Sequence, residues 1–201
     1  MPDKIRGAVA GFLVLAVLAL PLRAAVGCDL NDPDRDVKRL FPESTGYKTL
    51  YVSIAKSGGE ALLKKIEARL GDAFKGLYET IDVPYTMYQV FKGTDLIGYI
   101  HGVNQKGRYG GIQVFLALDL EGVIRAFYFQ KMTGQYAKVL RGADFGKQFV
   151  ALSLPDFDKY DVAAGKAEPG SRVAAIANPV PEAEKNLILC DVFLLGNRYV
   201  K

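Results

Sequence analysis

Apolar and polar positions alternate with period two through much of the stretch Pro84–Gly134, PYTMYQVFKGTDLIGYIHGVNQKGRYGGIQVFLALDLEGVIRAFYFQKMTG. Turn signals at Lys92–Asp95, Asn104–Gly111 and Glu121–Gly122 divide it into apolar runs rich in aromatic and β-branched residues. Ile112, Val114, Leu116 and Leu118 fall on one face, and Phe127 and Phe129 continue the alternation after the turn, the signature of strands. Short connections such as Glu121-Gly122 favour sequential antiparallel pairing, so the stretch predicts a β-meander.

The flanks predict helices around that sheet. Residues 41–56 carry an alternating Leu50, Val52 and Ile54, a further strand. Ser57-Gly58-Gly59-Glu60 has the capping-box pattern and opens a helix with the apolar stripe Leu62, Leu63, Ile66, Leu70 and Phe74. Tyr136–Leu154 shows helical spacing in Val139, Leu140, Phe145, Phe149 and Val150, stopped at Pro155-Asp156-Phe157. Ala163–Pro181 reads as a loop with one short strand at Arg172–Ile176. Pro181-Glu182-Ala183-Glu184 starts a last helix, lined by Leu187, Leu194 and Leu195 and widened by Ile188, Val192 and Phe193. The class expected is α+β: an antiparallel β-meander sheet packed by helices, in a single domain over residues 46–201.

Residues 1–27 read as a signal peptide. Lys4 and Arg6 precede the apolar run Ala8–Leu22, which is short for a membrane span of about 20 residues. Ala25-Val26-Gly27-Cys28 then resembles a bacterial lipobox, with Ala25 where leucine is usual. That resemblance implies lipidation of Cys28, anchoring in the bacterial cell membrane, and a domain facing the periplasm or cell exterior. Ordinary cleavage after a small residue, leaving a Cys28 thiol, is the other route. In the first case Cys190 is a small apolar filler; in the second, a Cys28–Cys190 disulfide is open in an oxidising compartment. Residues 28–45 are expected as anchor and acidic linker. Asp32, Asp34, Asp36 and Glu43 have the offsets of a calcium loop, but Val37 takes the place of its glycine, which favours a linker or helix start.

Composition and charge exclude several classes. The chain has 201 residues, 50% of them hydrophobic, enough for a sizeable core. The formal charge of +4 falls to +2 once Asp3, Lys4, Arg6 and Arg23 leave with the signal, and no basic stripe or nucleic-acid module stands in the chain. Two cysteines and one histidine do not build a zinc or haem site of the usual kind. His101, flanked by Ile100 and Gly102 on a strand, has no nucleophile signature beside it, which disfavours a hydrolase; a structural histidine is the expectation.

Gly107-Arg108-Tyr109-Gly110-Gly111-Ile112, then Asp119, Gly122 and the strand end Lys131-Met132-Thr133-Gly134, resemble the FMN-binding domain family. Its best-known members are the flavin subunits of the sodium-translocating quinone reductase and of the Rnf electron-transport complex. The resemblance covers residues 96–180 and implies the same α+β fold, an FMN cofactor, and a membrane redox complex or cytochrome as partner. The family's covalent-flavin threonine has no counterpart: Ala175-Ile176-Ala177-Asn178-Pro179 stands at that place, and no threonine occurs from Gln135 to Lys201. A phosphoester needs an alcohol, so FMN is expected to bind without a covalent bond, or to have been lost.

If FMN binds, Gly110-Gly111 and Thr133-Gly134 offer backbone N–H groups to its phosphate, because glycine lets the backbone approach closely. Arg108 and Lys131 add charge-assisted contacts, and Tyr109, Tyr128 or Tyr136 a wall for the ring. For Gly110-Gly111, a bare hairpin turn is an equal reading. Three functions follow: an export-side, membrane-anchored electron-transfer flavodomain or accessory subunit, a flavin-free binding or assembly lipoprotein of the same fold, or an unrelated α+β lipoprotein that holds a small ligand.

Overall fold

The structure, a computed structural model, describes residues 28–71, 74, 81–107, 110–133, 137–159 and 179–200. Five strands form one antiparallel sheet in sequence order: β1 (Gly46–Val52), β2 (Tyr85–Lys92), β3 (Asp95–Gly107), β4 (Gly110–Leu118) and β5 (Ile124–Lys131). The meander expected from the apolar runs is present. β3 is longer than expected, since Asn104–Lys106 pair with Gln113, Ile112 and Gly111 instead of turning. The ladder satisfies backbone groups whatever the side chains, so a polar run does not end a strand that has a neighbour.

The β4–β5 turn is built by Asp119, whose Oδ1 accepts from the N–H groups of Glu121 (3.0 Å) and Val123 (2.8 Å). Gly122 supplies φ +86 there, a conformation in which side chains are strained. Both residues therefore have a structural task that needs no ligand.

Helices cover both faces of the sheet. On one face lie α3 (Gly59–Leu70) and the last helix, α6 (Pro179–Leu194), around a core that takes Ile112, Val114, Leu116, Leu118 and Phe129 from the strands. Leu62 and Ile66 of α3 are buried in it, and Leu63, Leu70 and Phe74 pack against it, as their stripe predicts. Arg69 ties this layer together, pairing with Glu184 (3.4 Å) on α6 and Asp158 (3.0 Å) on the 3-10 turn Leu154–Lys159. At the end of α6 the buried Asp191 carboxylate accepts from the N–H groups of Arg198, Tyr199 and Val200 at 2.9–3.0 Å, folding the chain back so that Val200 is buried.

Two local expectations change. Ser57 does not cap a helix; it ends a short helix, α2 (Ile54–Ser57), and Gly58 precedes α3 with no side-chain cap. Ser53 is extended and its hydroxyl accepts from Lys56 N–H, so a turn starts early and draws Ile54 out of β1. The helical spacing of 136–154 divides into α4 (Ala137–Leu140) and α5 (Ala143–Lys147), separated at Gly142, with the 3-10 turn following at Leu154. Of the loop expected over Ala163–Pro181, residues 163–178, with the strand expected at Arg172–Ile176, lie outside the described residues, and the last helix starts at Pro179, two residues before the expected Pro181.

The opposite face is covered by residues 28–41, which the composition marks as a linker. Asp32 caps α1 (Pro33–Leu40), accepting from Arg35 N–H. Asp34 accepts from the Tyr47 hydroxyl, and the buried Asp36 from Arg35, so the acids expected as linker or helix start serve a helix. Cys28, Leu30, Val37 and Phe41 then pack on Tyr88, Val90, Ile100, Phe115 and Ala117 as a second core. Leu30 N–H donates to the Tyr88 hydroxyl (3.0 Å). Among the described residues no helix is long and apolar enough to cross a membrane.

Phe41 sits where Gly98 leaves room: a Cβ at Gly98 would meet the Leu118 carbonyl and lie 2.7 Å from the Phe41 ring. Gly98→Ala is expected to lower stability by roughly 1–3 kcal/mol through overpacking, read by chemical denaturation. A neutral result would show that Phe41 does not seal this face.

Candidate functional site

Among the described residues β5 is the last strand of the sheet, with β4 as its one strand neighbour. Extra residues at Arg125 and Gln130 bulge it near both ends, leaving Ala126–Phe129 in regular register with Val114–Ala117. Phe127 and Phe129 face the helices and gather Phe145 and Phe149, with ring centroids 4.5–6.0 Å apart. That aromatic cluster pins α4 and α5 beside the strand. Gly146 permits the approach, since a Cβ there would already stand 3.0 Å from the Phe127 carbonyl.

A cavity of about 480 Å³ remains between β5 and these helices. Residues of both faces of the strand line it, Phe127 and Phe129 from one and Ala126 and Tyr128 from the other, so it follows the edge of the strand away from β4. Four cations surround it: Arg39, Arg125, Arg141 and Lys147. No carboxylate is among the described residues of the lining. Arg39 lies 3.8 Å over the Tyr128 ring and 3.5 Å from Asp36, and Arg125 is 3.0 Å from Glu43. The Glu43 carboxyl is held below its usual range by a backbone hydrogen bond and by Arg125. Arg141 donates to the Gln130 carbonyl (3.3 Å), and Lys147 is 2.9 Å from the exposed Asp144. Gln130 joins the cavity to the N-terminal segment, accepting from Asn31 N–H (2.9 Å) and donating to the Asp29 carbonyl (2.8 Å).

The residues expected to hold FMN are partly gathered. Gln113 pairs with Lys131, and Gly111 and Thr133 each lie two residues further toward the same end of the antiparallel pair. That end holds Gly110, Gly111, Lys131 and Thr133 together. Among the described residues, a Cβ at Gly111 would meet nothing within 4 Å. The cavity lies further along the strand, and Gly111, Lys131 and Thr133 do not line it. Tyr128 does, while its ring is covered by Arg39. Arg108, Tyr109, Gly134 and Tyr136 lie outside the described residues. Cys28 is buried, its thiol donating to Asn104 Oδ1 (3.3 Å), and burial pushes its pKa up. Sequence reading missed the four cations because they come from α1, β5, the α4–α5 junction and α5, with no spacing to relate them. Comparison with protein-family models and with curated proteins finds no match to this chain. The resemblance to FMN-binding domains therefore rests on its short glycine-led motifs.

His101 stands apart from the cavity. It points from β3 under α6, fully buried, with the Tyr85 ring edge-on at 6.1 Å. Asn186 Nδ2 donates to its backbone carbonyl (2.9 Å), while neither ring nitrogen has a partner among the described residues. Desolvation holds its pKa down at about 3 against an ordinary 6.5. The folded state thus resists the proton that the unfolded chain accepts. Stability is intact above pH 6.5 and falls as pH drops toward 3, by up to about 1.4 kcal/mol per pH unit. His101→Met is expected to flatten the loss between pH 6.5 and 4, seen in melting temperatures across that range. An unchanged slope would mean the imidazole finds a partner or water in solution.

Proposed function

We propose that this chain is an export-side, membrane-anchored domain that binds FMN without a covalent bond. In this reading it serves as an electron carrier or accessory subunit of a membrane redox complex or cytochrome. The observation that supports it is the β4–β5 register, which puts the glycine turn and the Lys131–Thr133 strand end side by side. The residues present fit a phosphate monoester. No described residue lies within 4 Å of where a Cβ on Gly111 would stand, which leaves its backbone within reach of an anion, and Lys131 is exposed beside it. A bound flavin would supply the electron chemistry; the chain's part is to hold the phosphate and exclude competing partners. The membrane tether follows from the lipobox resemblance. Acylation of Cys28 requires its side chain to turn out of the second core, because Leu30, two residues on, is fixed to Tyr88.

A flavin-free binding or assembly lipoprotein of the same architecture is the second reading. One observation favours it: the described cavity runs along β5 and not beside the turn.

Thermal unfolding with added FMN separates the two. Under the first reading, FMN at about 100 times its dissociation constant stabilises the chain by about 2.7 kcal/mol, and Lys131→Glu removes most of that gain. A flavin spectrum on the protein purified from membranes, released on denaturation, agrees with it. No shift in melting temperature and no flavin absorbance leave the second reading. Mass spectrometry of the same sample checks the anchor, expecting a diacylglycerol adduct on Cys28.

A further inference from the structure

Among the described residues, the edge of β5 away from β4 is open over a defined length. At its start Ile124 exchanges backbone hydrogen bonds of 2.8 Å with Ala151 and Leu152, which closes the edge there. Beyond that bridge the bulges at Arg125 and Gln130 bound the regular run Ala126–Phe129. The wall opposite is α4–α5, and the cavity of about 480 Å³ lies between. A strand added to an edge lies about 4.8 Å away, with alternate side chains on opposite faces. On one face such side chains would reach the apolar hollow of Phe129, Leu140 and Val150; on the other, the Arg39–Tyr128 side.

We propose that this groove takes a short, extended, acidic segment of a partner protein, added to the sheet as a further strand along Ala126–Phe129. Charge selects the partner: the lining holds four cations and no described carboxylate. Asp36, Glu43 and Asp144, which pair with Arg39, Arg125 and Lys147, lie outside the lining. Lys147 is 71% exposed, so a carboxylate from the partner can replace the intramolecular one without burying a charge. The two bulges set the length, since pairing is lost where the register shifts. The inference stands whether or not flavin binds at the turn.

The test is fluorescence anisotropy of a labelled peptide of about eight residues, alternating Glu with Val or Thr, against the whole mature chain. Saturable binding is expected. It should weaken about tenfold or more at high salt and about tenfold in Lys147→Glu, whose melting temperature should stay unchanged. Two further peptides, N-methylated on alternate residues, separate strand addition from charge attraction. One of the pair must lose about tenfold, because only one set of amides faces the strand. Absence of saturable binding overturns the proposal, as does equal binding of both methylated peptides. Binding of inorganic phosphate or FMN in the groove, with displacement of the peptide and dependence on Lys147, also overturns it by making the cavity a small-anion site.

Discussion

Burial of β4 on both faces is the constraint around which this molecule is arranged. Val114, Phe115, Leu116, Ala117 and Leu118 are all fully buried. An antiparallel sheet commonly leaves one face to water, and then its strands alternate apolar with polar. Here the alternate positions Phe115 and Ala117 are apolar as well, so one helical layer cannot satisfy the strand. α6, with α3 packed on it, covers the face of Val114, Leu116 and Leu118. The segment 28–41 buries Phe115 and Ala117 and so belongs to the fold. At about 25 cal/mol per Å² of apolar surface, leaving that second face bare costs more than a domain's marginal stability tolerates.

That second cover shapes the chemistry at the edge of the sheet. α1 lies over β5 closely enough for Arg39 to stack on Tyr128, and its end brings Phe41 under Arg125 (4.6 Å). The aromatic cluster of the other face holds α4 and α5 against the same strand. α1 therefore brings one cation to the groove, β5 itself one, and the α4–α5 layer two. Their attraction for an anion is a by-product of sealing both faces of a sheet at its last strand. Gln130 binds the groove and the N-terminal segment into one unit through three hydrogen bonds to residues 29, 31 and 113.

The sites singled out from residue types alone divide by what fixes them. Asp119 and Gly122 match a family pattern, yet the Asp119 carboxylate is engaged with two turn amides and Gly122 holds a positive φ. Such a pair is selected by any tight connection between two strands, with or without a cofactor. At Gly111, by contrast, an added Cβ would meet nothing within 4 Å among the described residues. His101 matches the structural reading of a histidine on a strand only in place; its ring nitrogens are buried without partners among the described residues, a costly arrangement that local sequence does not reveal.

By itself the sequence determined the meander, because strand alternation and turn glycines are local and survive without tertiary context. It determined the α3 stripe and the last helix for the same reason: Leu62 and Ile66 in α3, and Leu187 and Leu194 in α6, each recur at the spacing of one helix face. Tertiary structure decided what local patterns do not encode. Ser53 outcompeted Ser57 for a helix start, since its extended backbone was already set by β1. Residues 28–41 became a sheet cover because an uncovered apolar face awaited them, although their own composition is that of a solvated linker. The basic groove exists only where α1, β5, α4 and α5 meet, and four cations from separate elements carry no common period along the chain.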